Sequence, residues 1–491
     1  MAIFNNNLLA GAGAQSGTTT YEINQSIRFD DADEHFMYSP TPSSSKDFTT
    51  TATISLWFKL GNLKAGYLAG AFYGNNNRYN ILAINSDGQL LEYDRVGGAS
   101  TSNGTGTIGW TTTRVFRDPS AWYHAVFVWD TTNAVQSERF RLYINGVRET
   151  DFATEQALGA SELVYWFGKS TPTTLGAYFT GTGYADTYYF DGYMAEMHGV
   201  DGTALDQNSF GEFNSSGIWV PKEYTGSHGT DGFYIKGADA SALGTNSAAN
   251  GNNFTLNGIS SHDQVLDSPT NNFCVLTPLA TLMGGTLSNG NLKIVLSGND
   301  QFHSNFEISE KSYCEVRLDA SSNYGGALGF GTFQGLDDDD NTIAFSMNYL
   351  SGRINLGNGS SGGDVGGNVS VGDIIMMALD PDTRKWWVGV NGTWRNSGDP
   401  AGGTGHVYQY ATDYFDTSSS YSTTDGIGAI VWGGFKGSAN GMTVTWNFGQ
   451  EGTFGGQETA GGNADGNGNG NFKYTVPSGF KALCSKSMGS E

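Results

Sequence analysis

The chain has 491 residues, too many for one hydrophobic core, so two or more domains are expected. Charged residues make up 15% and aromatics 13%, with 71 glycines; that balance excludes a disordered chain and suits an all-β protein rich in turns. The net charge of -23 argues against a nucleic-acid partner, which demands a basic face, and its plain reading is solubility.

Met1 to Gln25 reads as an arm. Its apolar groups before Tyr21 are Ala2-Ile-Phe4 and Leu8-Leu9, and Ala10 to Ala14 has no side chains with which to build a core. It is either a loose terminus or a tail that becomes ordered by docking on a larger assembly, and the family resemblance given below implies the second. It has no apolar leader pattern, so it is not read as a secretory signal, and no stretch of the chain is long and apolar enough to span a membrane.

Ser26 to Glu223 is read as a folded unit. Ser26–Asp30 is a short strand. Thr53–Leu60 alternates, placing Ile54, Leu56, Phe58 and Leu60 on one face. Tyr79–Ile84 and Gln89–Tyr93 flank the turn Asn85-Ser-Asp-Gly88. Trp122–Asp130 and Arg139–Gly146 follow, the latter with Phe140, Leu142 and Ile144 inward.

Tyr188–Met197 is the strand around which the unit is organised. Phe190, Gly192 and Met194 are expected on one face, and Tyr189, Tyr193, Ala195 and Met197 on the other. Apolar residues on both faces mean burial on both sides, or a bulge near Glu196 that shifts the frame. Gly237–Asn253, rich in Gly, Ala, Ser and Asn, reads as a surface loop or linker. A connector leads to a boundary near 278.

Residues 279–491 form the second unit. Its expected strands are Tyr313–Leu318, Gly326–Phe333, Thr342–Met347, Ile374–Leu379, Lys385–Val390, Gly426–Trp432 and Thr443–Phe448. No helix-length window keeps a 3.6-residue period free of glycine or β-branched runs, so helix is expected to be scarce. Cys274, Cys314 and Cys484 are odd in number and widely spaced, which implies no disulfide framework and fits assembly in a reducing cytoplasm.

Several stretches resemble known families. Phe190-Asp-Gly192, Ala195-Glu196 and Asp201-Gly202, with the Trp122-Tyr-His124 strand and Leu142-Tyr-Ile-Asn-Gly146, resemble laminin-G-like (concanavalin A-like) domains of phage virion proteins. Gly372–Asp382, Trp386–Gly392, Asn447-Phe-Gly449 and Pro477–Leu483 resemble a SPRY domain, with Gly455–Asn471 as an inserted tract. The resemblance implies two jelly-roll-type β-sandwiches behind the arm, at 26–278 and 279–491. It implies a phage tail fibre or receptor-binding adhesin, a homotrimer, recognising host-surface glycan or protein. A capsid fibre or decoration protein is the alternative, and a polysaccharide-degrading enzyme a more distant one.

The residues do not supply catalytic chemistry. The Glu-x-Asp-x-x-Glu spacing of sandwich glycosidases is absent; Glu196 has no carboxylate at 198, and Asp201 lies beyond a glycine. Gly359-Ser-Ser-Gly-Gly363 matches a nucleophile-elbow pattern but sits in a Gly/Ser stretch. His124 and His198 lie in expected strands and are read as core or interface residues. No enzyme and no cofactor are therefore expected, calcium aside. The acidic run Asp337, Asp338, Asp339, Asp340 is the calcium candidate. Asp465-Gly-Asn-Gly-Asn-Gly470 begins like an EF-hand loop, but Val476 occupies the twelfth position, and the tract is read as a flexible loop. Tyr73, Tyr178, Tyr184, Tyr408, Tyr410, Tyr414 and Tyr421, beside Gly, Asn, Ser and Thr, are the ligand-binding candidates, because a flat ring with adaptable polar neighbours suits sugar or protein.

Overall fold

The structure is a computed structural model. It describes residues 21–41, 49–73, 78–95, 107–156, 158–167, 172–179, 183, 188–279, 285–297, 300–321, 326–332, 342–346, 353–356, 361–367, 369–410, 430–435 and 441–488. The chain is all-β and divides into two compact units, with the change at Thr270–Asn271.

The first unit contains β1 (Ser26–Phe29), β2 (Phe36–Tyr38), β3 (Thr51–Leu60), β4 (Gly66–Tyr73), β5 (Arg78–Ile84), β6 (Gln89–Arg95), β7 (Thr107–Val115), β8 (Tyr123–Asp130) and β9 (Phe140–Ile144). It continues with β10 (Val147–Arg148), β11 (Phe152–Thr154), β12 (Thr173–Leu175), β13 (Gly192–Asp201), β14 (Gly211–Phe213), β15 (Trp219–Pro221), β16 (Phe233–Ile235), β17 (Thr255–Asn257) and β18 (Gln264–Val265). The front sheet runs β10-β9-β8-β3-β13-β1-β18, with β16 also on β13; the back sheet runs β11-β7-β6-β5-β4-β12-β2-β17. Between them lies one apolar core that takes Ile54, Leu56, Phe58 and Leu60 from β3 and Phe140, Leu142 and Ile144 from β9, as the alternation in the sequence requires.

All ten residues of β13 are buried. Both sequence expectations for this strand hold together. Its pairing to β3 slips between Ala195 and His198, so one extra residue is inserted. Glu196 occupies the slip with φ 47°, a left-handed conformation that costs a non-glycine residue about 1 kcal/mol or more. Before the bulge, Met194 faces the core while Tyr193 and Ala195 face outward; after it, Met197 returns to the core.

The outward face of the front sheet is covered as well. Ile23, Trp219 and Val265 pack on Trp57, Trp122, Tyr193 and Ala195, and Phe210 packs on Val126, Val128, Tyr143 and Val200. Two ion pairs with both side chains wholly buried fasten this cover: Lys59–Asp267 at 2.7 Å and Arg28–Asp263 at 3.0 Å. Trp122 Nε1 donates to the other Asp267 oxygen at 2.9 Å.

Two boundaries therefore differ from the sequence reading. The first unit takes in residues before Ser26: Ile23 is 2% exposed, and its N–H donates to Thr270 Oγ1 at 3.1 Å. The stretch 237–253 is not a linker. Leu243 and Phe254 enter the core, and Asn246 accepts from the Tyr234 N–H at 2.8 Å while Asn250 donates to the Gly232 carbonyl at 2.7 Å. One leucine and a ladder of asparagine side chains do what an apolar run does elsewhere.

The second unit contains β19 (Thr286–Ser288), β20 (Lys293–Leu296), β21 (Gln301–His303), β22 (Ser312–Ser321), β23 (Ala327–Thr332), β24 (Thr342–Ser346) and β25 (Arg353–Leu356). It continues with β26 (Ser361–Asp364), β27 (Ile374–Asp380), β28 (Lys385–Val390), β29 (Thr393–Trp394), β30 (Tyr408–Gln409), β31 (Ile430–Phe435) and β32 (Met442–Asn447). One sheet runs β19-β20-β32-β22-β27-β28-β29 with β30 on β28, the other β21-β31-β23-β24-β25-β26. Trp386, Trp432 and Trp446 lie in its core. The three cysteines are buried thiols that form no disulfide, and burial pushes Cys484 up to about 11.

The Gly/Asn tract 455–471 is built, not flexible. Asp465 is 6% exposed. Its Oδ1 accepts from the N–H groups of Asn467 and Asn469, both at 2.9 Å. Its Oδ2 accepts from the Ala482 N–H at 3.0 Å and the Ser487 hydroxyl at 2.9 Å. Beyond the tract, buried Glu315 accepts from the N–H groups of Lys473 and Tyr474, each at 2.8 Å.

Candidate functional site

Two places in the first unit concentrate chemistry. The first is centred on Glu196, which the bulge turns out of the core toward Tyr21, His198 and Tyr234. Its Oε2 accepts from the Tyr21 hydroxyl at 2.8 Å and the Tyr234 hydroxyl at 2.7 Å, and lies 3.6 Å from His198 Nε2. Burial works to raise its proton affinity, but His198 and the two hydroxyls outweigh it and hold Glu196 below its usual value. His198 Nδ1 meets His228 Nε2 at 3.1 Å, with the two rings stacked. Burial, then the neighbouring His198, lowers His228 to about 4.

His124 lies alongside, stacked on Trp57 at 4.6 Å. Trp219 Nε1 donates to His124 Nδ1 at 3.0 Å. An indole nitrogen can only donate, so Nδ1 is unprotonated and neutral His124 donates from Nε2 to Ser55 Oγ at 2.9 Å. Burial lowers it to about 3, and the imidazole stays neutral. Glu196, His198, His124, Tyr21 and Phe210 close on one another and enclose no water-sized space.

The second place is open. A cleft of about 330 Å³ is lined by Asp31, Leu63, Lys64, Ala65, Ser86, Tyr188 and Tyr189. Tyr188 is 57% exposed and holds φ 67°, so strained backbone presents an aromatic ring to solvent just ahead of β13. From Tyr188 a row of rings continues over the back sheet: Tyr67 meets Tyr188 edge-on at 6.0 Å, and Tyr178 meets Tyr67 at 4.9 Å. Tyr178 lies across Gly70, where a Cβ would come within 2.4 Å of the Tyr178 Cβ. Lys64 pairs with Asp31 across the cleft. Beneath it, burial and the carboxylates of Asp30 and Asp31 push Asp191 up to about 8.

Of the tyrosines singled out from sequence, Tyr178 belongs to this row. Tyr408 is half-buried in β30 beside Trp386 of β28. Tyr410 lies in the loop after β30, but its ring belongs to the core: it is 5% exposed, packs 5.8 Å from Phe330, and burial pushes it up to about 12. Tyr73 ends β4, but its side chain lies outside the described residues, as do Tyr184, Tyr414, Tyr421 and Asp337–Asp340. Ser361 lies in β26, not on a strand-to-helix turn. Among the described residues no three His, Cys, Asp or Glu side chains converge as a metal site. Tyr67 was missed because β4, which carries it, has no regular pattern, and Tyr188 because it opens the strand read at 188–197; only the unfavourable backbone at Tyr188 marks it, and that is invisible in sequence.

Residues 33–208, under half of the chain, match the profile of the concanavalin A-like lectin/glucanases superfamily. A putative carbohydrate binding protein from Bacteroides ovatus is 19% identical over 50% of this chain and 64% of its own, with a TM-score of 0.30. Domains LG4-5 of the mouse laminin alpha1 chain are 10% identical over 78% of this chain and 79% of their own, with a TM-score of 0.29. The SPRY domain of human HERC1 is 15% identical over 33% of this chain and 91% of its own, with a TM-score of 0.21. No curated protein matches the chain.

Proposed function

We propose that the chain is a non-enzymatic adhesin of a phage particle that recognises host-surface glycan through the tyrosine-bordered cleft of its first unit. The observation that carries this is the exposed ring of Tyr188, held in strained backbone at an open cleft and continued by Tyr67 and Tyr178. A sugar presents an apolar face and a hydroxyl edge, and such a row offers rings for the first and Ser86, Lys64 and Asp31 for the second. The match of this unit to a lectin-containing superfamily supports the same reading. The tight packing of the Glu196 cluster, which leaves no water-sized space among its groups, supports binding over hydrolysis.

A shallow cleft binds one sugar weakly, and several copies on one particle multiply the attachment by roughly 10²–10⁴-fold. The proposal therefore includes a homotrimer carried on the virion by the N-terminal segment. The test is binding to a panel of bacterial surface glycans and to whole cells, comparing wild type with Tyr188→Ala and Tyr67→Ala. Loss of about 1 kcal/mol or more per ring is expected, some fivefold to tenfold in Kd. Binding unchanged in both variants would remove the cleft from the reading. Attachment to cells without binding to any glycan would move it to a protein receptor.

A further inference from the structure

The cleft of about 330 Å³ carries three kinds of group on its wall. Tyr188 supplies an aromatic ring, 57% exposed. Lys64 and Asp31 supply an ion pair whose side chains remain 43% and 27% exposed. Leu63 and Ala65, the chain neighbours of Lys64, supply an apolar shoulder beside that pair, and Leu63 is itself 37% exposed. An ammonium has three N–H donors and a carboxylate about four lone-pair sites, so their mutual contact leaves each with capacity for a ligand. The wall thus presents a donor, an acceptor and an apolar surface in one place, and the pair brings no net charge.

Resting on the reading of the cleft as a glycan site, we propose that it selects a sugar carrying an acetamido group over the same sugar carrying a hydroxyl, an amine or a carboxylate. A secondary amide is the complement of this wall: its carbonyl accepts from the Lys64 ammonium, its N–H donates to the Asp31 carboxylate, and its methyl group covers Leu63 and Ala65. The apolar face of the sugar is left for the Tyr188 ring. A hydroxyl makes the polar contacts but leaves the apolar shoulder in water; burying one methyl group there is worth about fourfold in affinity. An ammonium on the sugar meets Lys64, and a carboxylate meets Asp31, each adding a like charge to a pair already balanced. The net charge of -23 works further against the carboxylate. The cleft is at the small end of ligand sites, which span about 300–1,000 Å³, and has room for a substituted sugar ring.

The experiment titrates the full chain with N-acetylglucosamine, N-acetylgalactosamine, glucose, galactose, glucosamine and glucuronate, each up to its solubility. Calorimetry reads affinity, and saturation-transfer NMR reads which part of the sugar touches the protein. The two N-acetyl sugars are expected to bind about fourfold or more tighter than glucose and galactose, with the strongest transfer at the acetyl methyl and the charged sugars weakest. Lys64→Met, Asp31→Ala and Leu63→Ser change side chains that lie outside the core, so folding is expected to survive, and each should bring that ratio toward one. Tyr188→Ala should weaken all neutral sugars alike and keep the ratio, which separates loss of the ring from loss of selection. Equal affinity for the N-acetyl and parent sugars, or a ratio unchanged in Lys64→Met and Leu63→Ser, overturns the inference and leaves the glycan reading standing. So does binding of bacterial surface glycans with none of the six sugars bound; failure to bind either overturns both.

Discussion

Removing one partner of the Lys59–Asp267 pair should cost the first unit far more than a surface ion pair would. Both side chains are fully buried, the ions are 2.7 Å apart, and Trp122 Nε1 donates to the second Asp267 oxygen. Asp267→Ala takes the facing carboxylate from a buried ammonium that lies over the Tyr193 ring, a loss of about 3–5 kcal/mol. It also orphans the Trp122 N–H, about 1–3 kcal/mol that overlaps the first figure because both report the same desolvated site. A total near 4 kcal/mol is a large fraction of a typical domain's stability of about 5–15 kcal/mol. The double change Lys59→Met with Asp267→Val removes both charges and should recover most of the loss. The assay is urea unfolding followed by tryptophan fluorescence, with the first unit's transition compared across wild type, single and double variants. A single variant within about 1 kcal/mol of wild type would show that water reaches the pair and refute the reasoning. So would a double variant less stable than the single one.

His124 and His228 are held neutral, at about 3 and about 4, so the unfolded chain binds more protons than the folded one below its ordinary histidine range. Stability contributed by these groups is present above about pH 6.5 and falls as pH drops toward 4, by up to about 1.4 kcal/mol per pH unit per group. Asp191, raised to about 8, acts in the opposite sense, so the reading is the difference in slope between wild type and His228→Gln, which should be shallower. Truncation through Gln25 removes buried Ile23 and the Tyr21 bond to Glu196 and should cost the first unit about 2–4 kcal/mol in urea unfolding. Asp465→Ala removes four hydrogen bonds from the 455–471 tract and should cost about 2–4 kcal/mol, with new proteolytic cleavage confined to that tract. Gly70→Ala should push Tyr178 aside and weaken glycan binding without altering Tyr188; unaltered binding would exclude Tyr178 from the row.

Strands whose alternation is regular were legible from sequence. β3 and β9 lie where period-two patterns place them, and β8, β22, β27, β28 and β32 where short apolar runs do. β4 and β7 were not legible, because Gly66, Gly70 and Gly109 and runs of threonine dilute their pattern. Apolar residues on both faces of β13 raised two possibilities, burial and a bulge, and the fold uses both. What composition concealed was the cover. In residues 219–270 single buried residues such as Trp219, Leu243 and Phe254 are separated by Gly, Ser and Asn, and asparagine hydrogen bonds replace a ladder. The same dilution made the 455–471 tract look slack, although one aspartate organises it. None of the cleft's lining residues was foreseen as a site, and of the row of rings beside it only Tyr178, because a site assembled from strand ends has no local signature.

The covered front sheet also sets a timetable for synthesis. Lys59 and Asp267 are 208 residues apart in the chain. At ribosomal rates of about 5–20 residues per second, Lys59 waits roughly 10–40 s for its partner to be made. Through that interval the face bearing Trp57, Trp122 and Tyr193 has no lid, and the inner sandwich can collapse well before the outer one closes. A fragment ending at residue 208, where the superfamily match stops, would fix that half-finished state permanently. It would lack the core residues Phe233, Ile235, Leu243, Phe254 and Ile259 and carry an uncovered apolar outer wall, a surface that associates with its own copies. Translation through Thr270 is thus needed before the first sandwich holds the whole of its own cover.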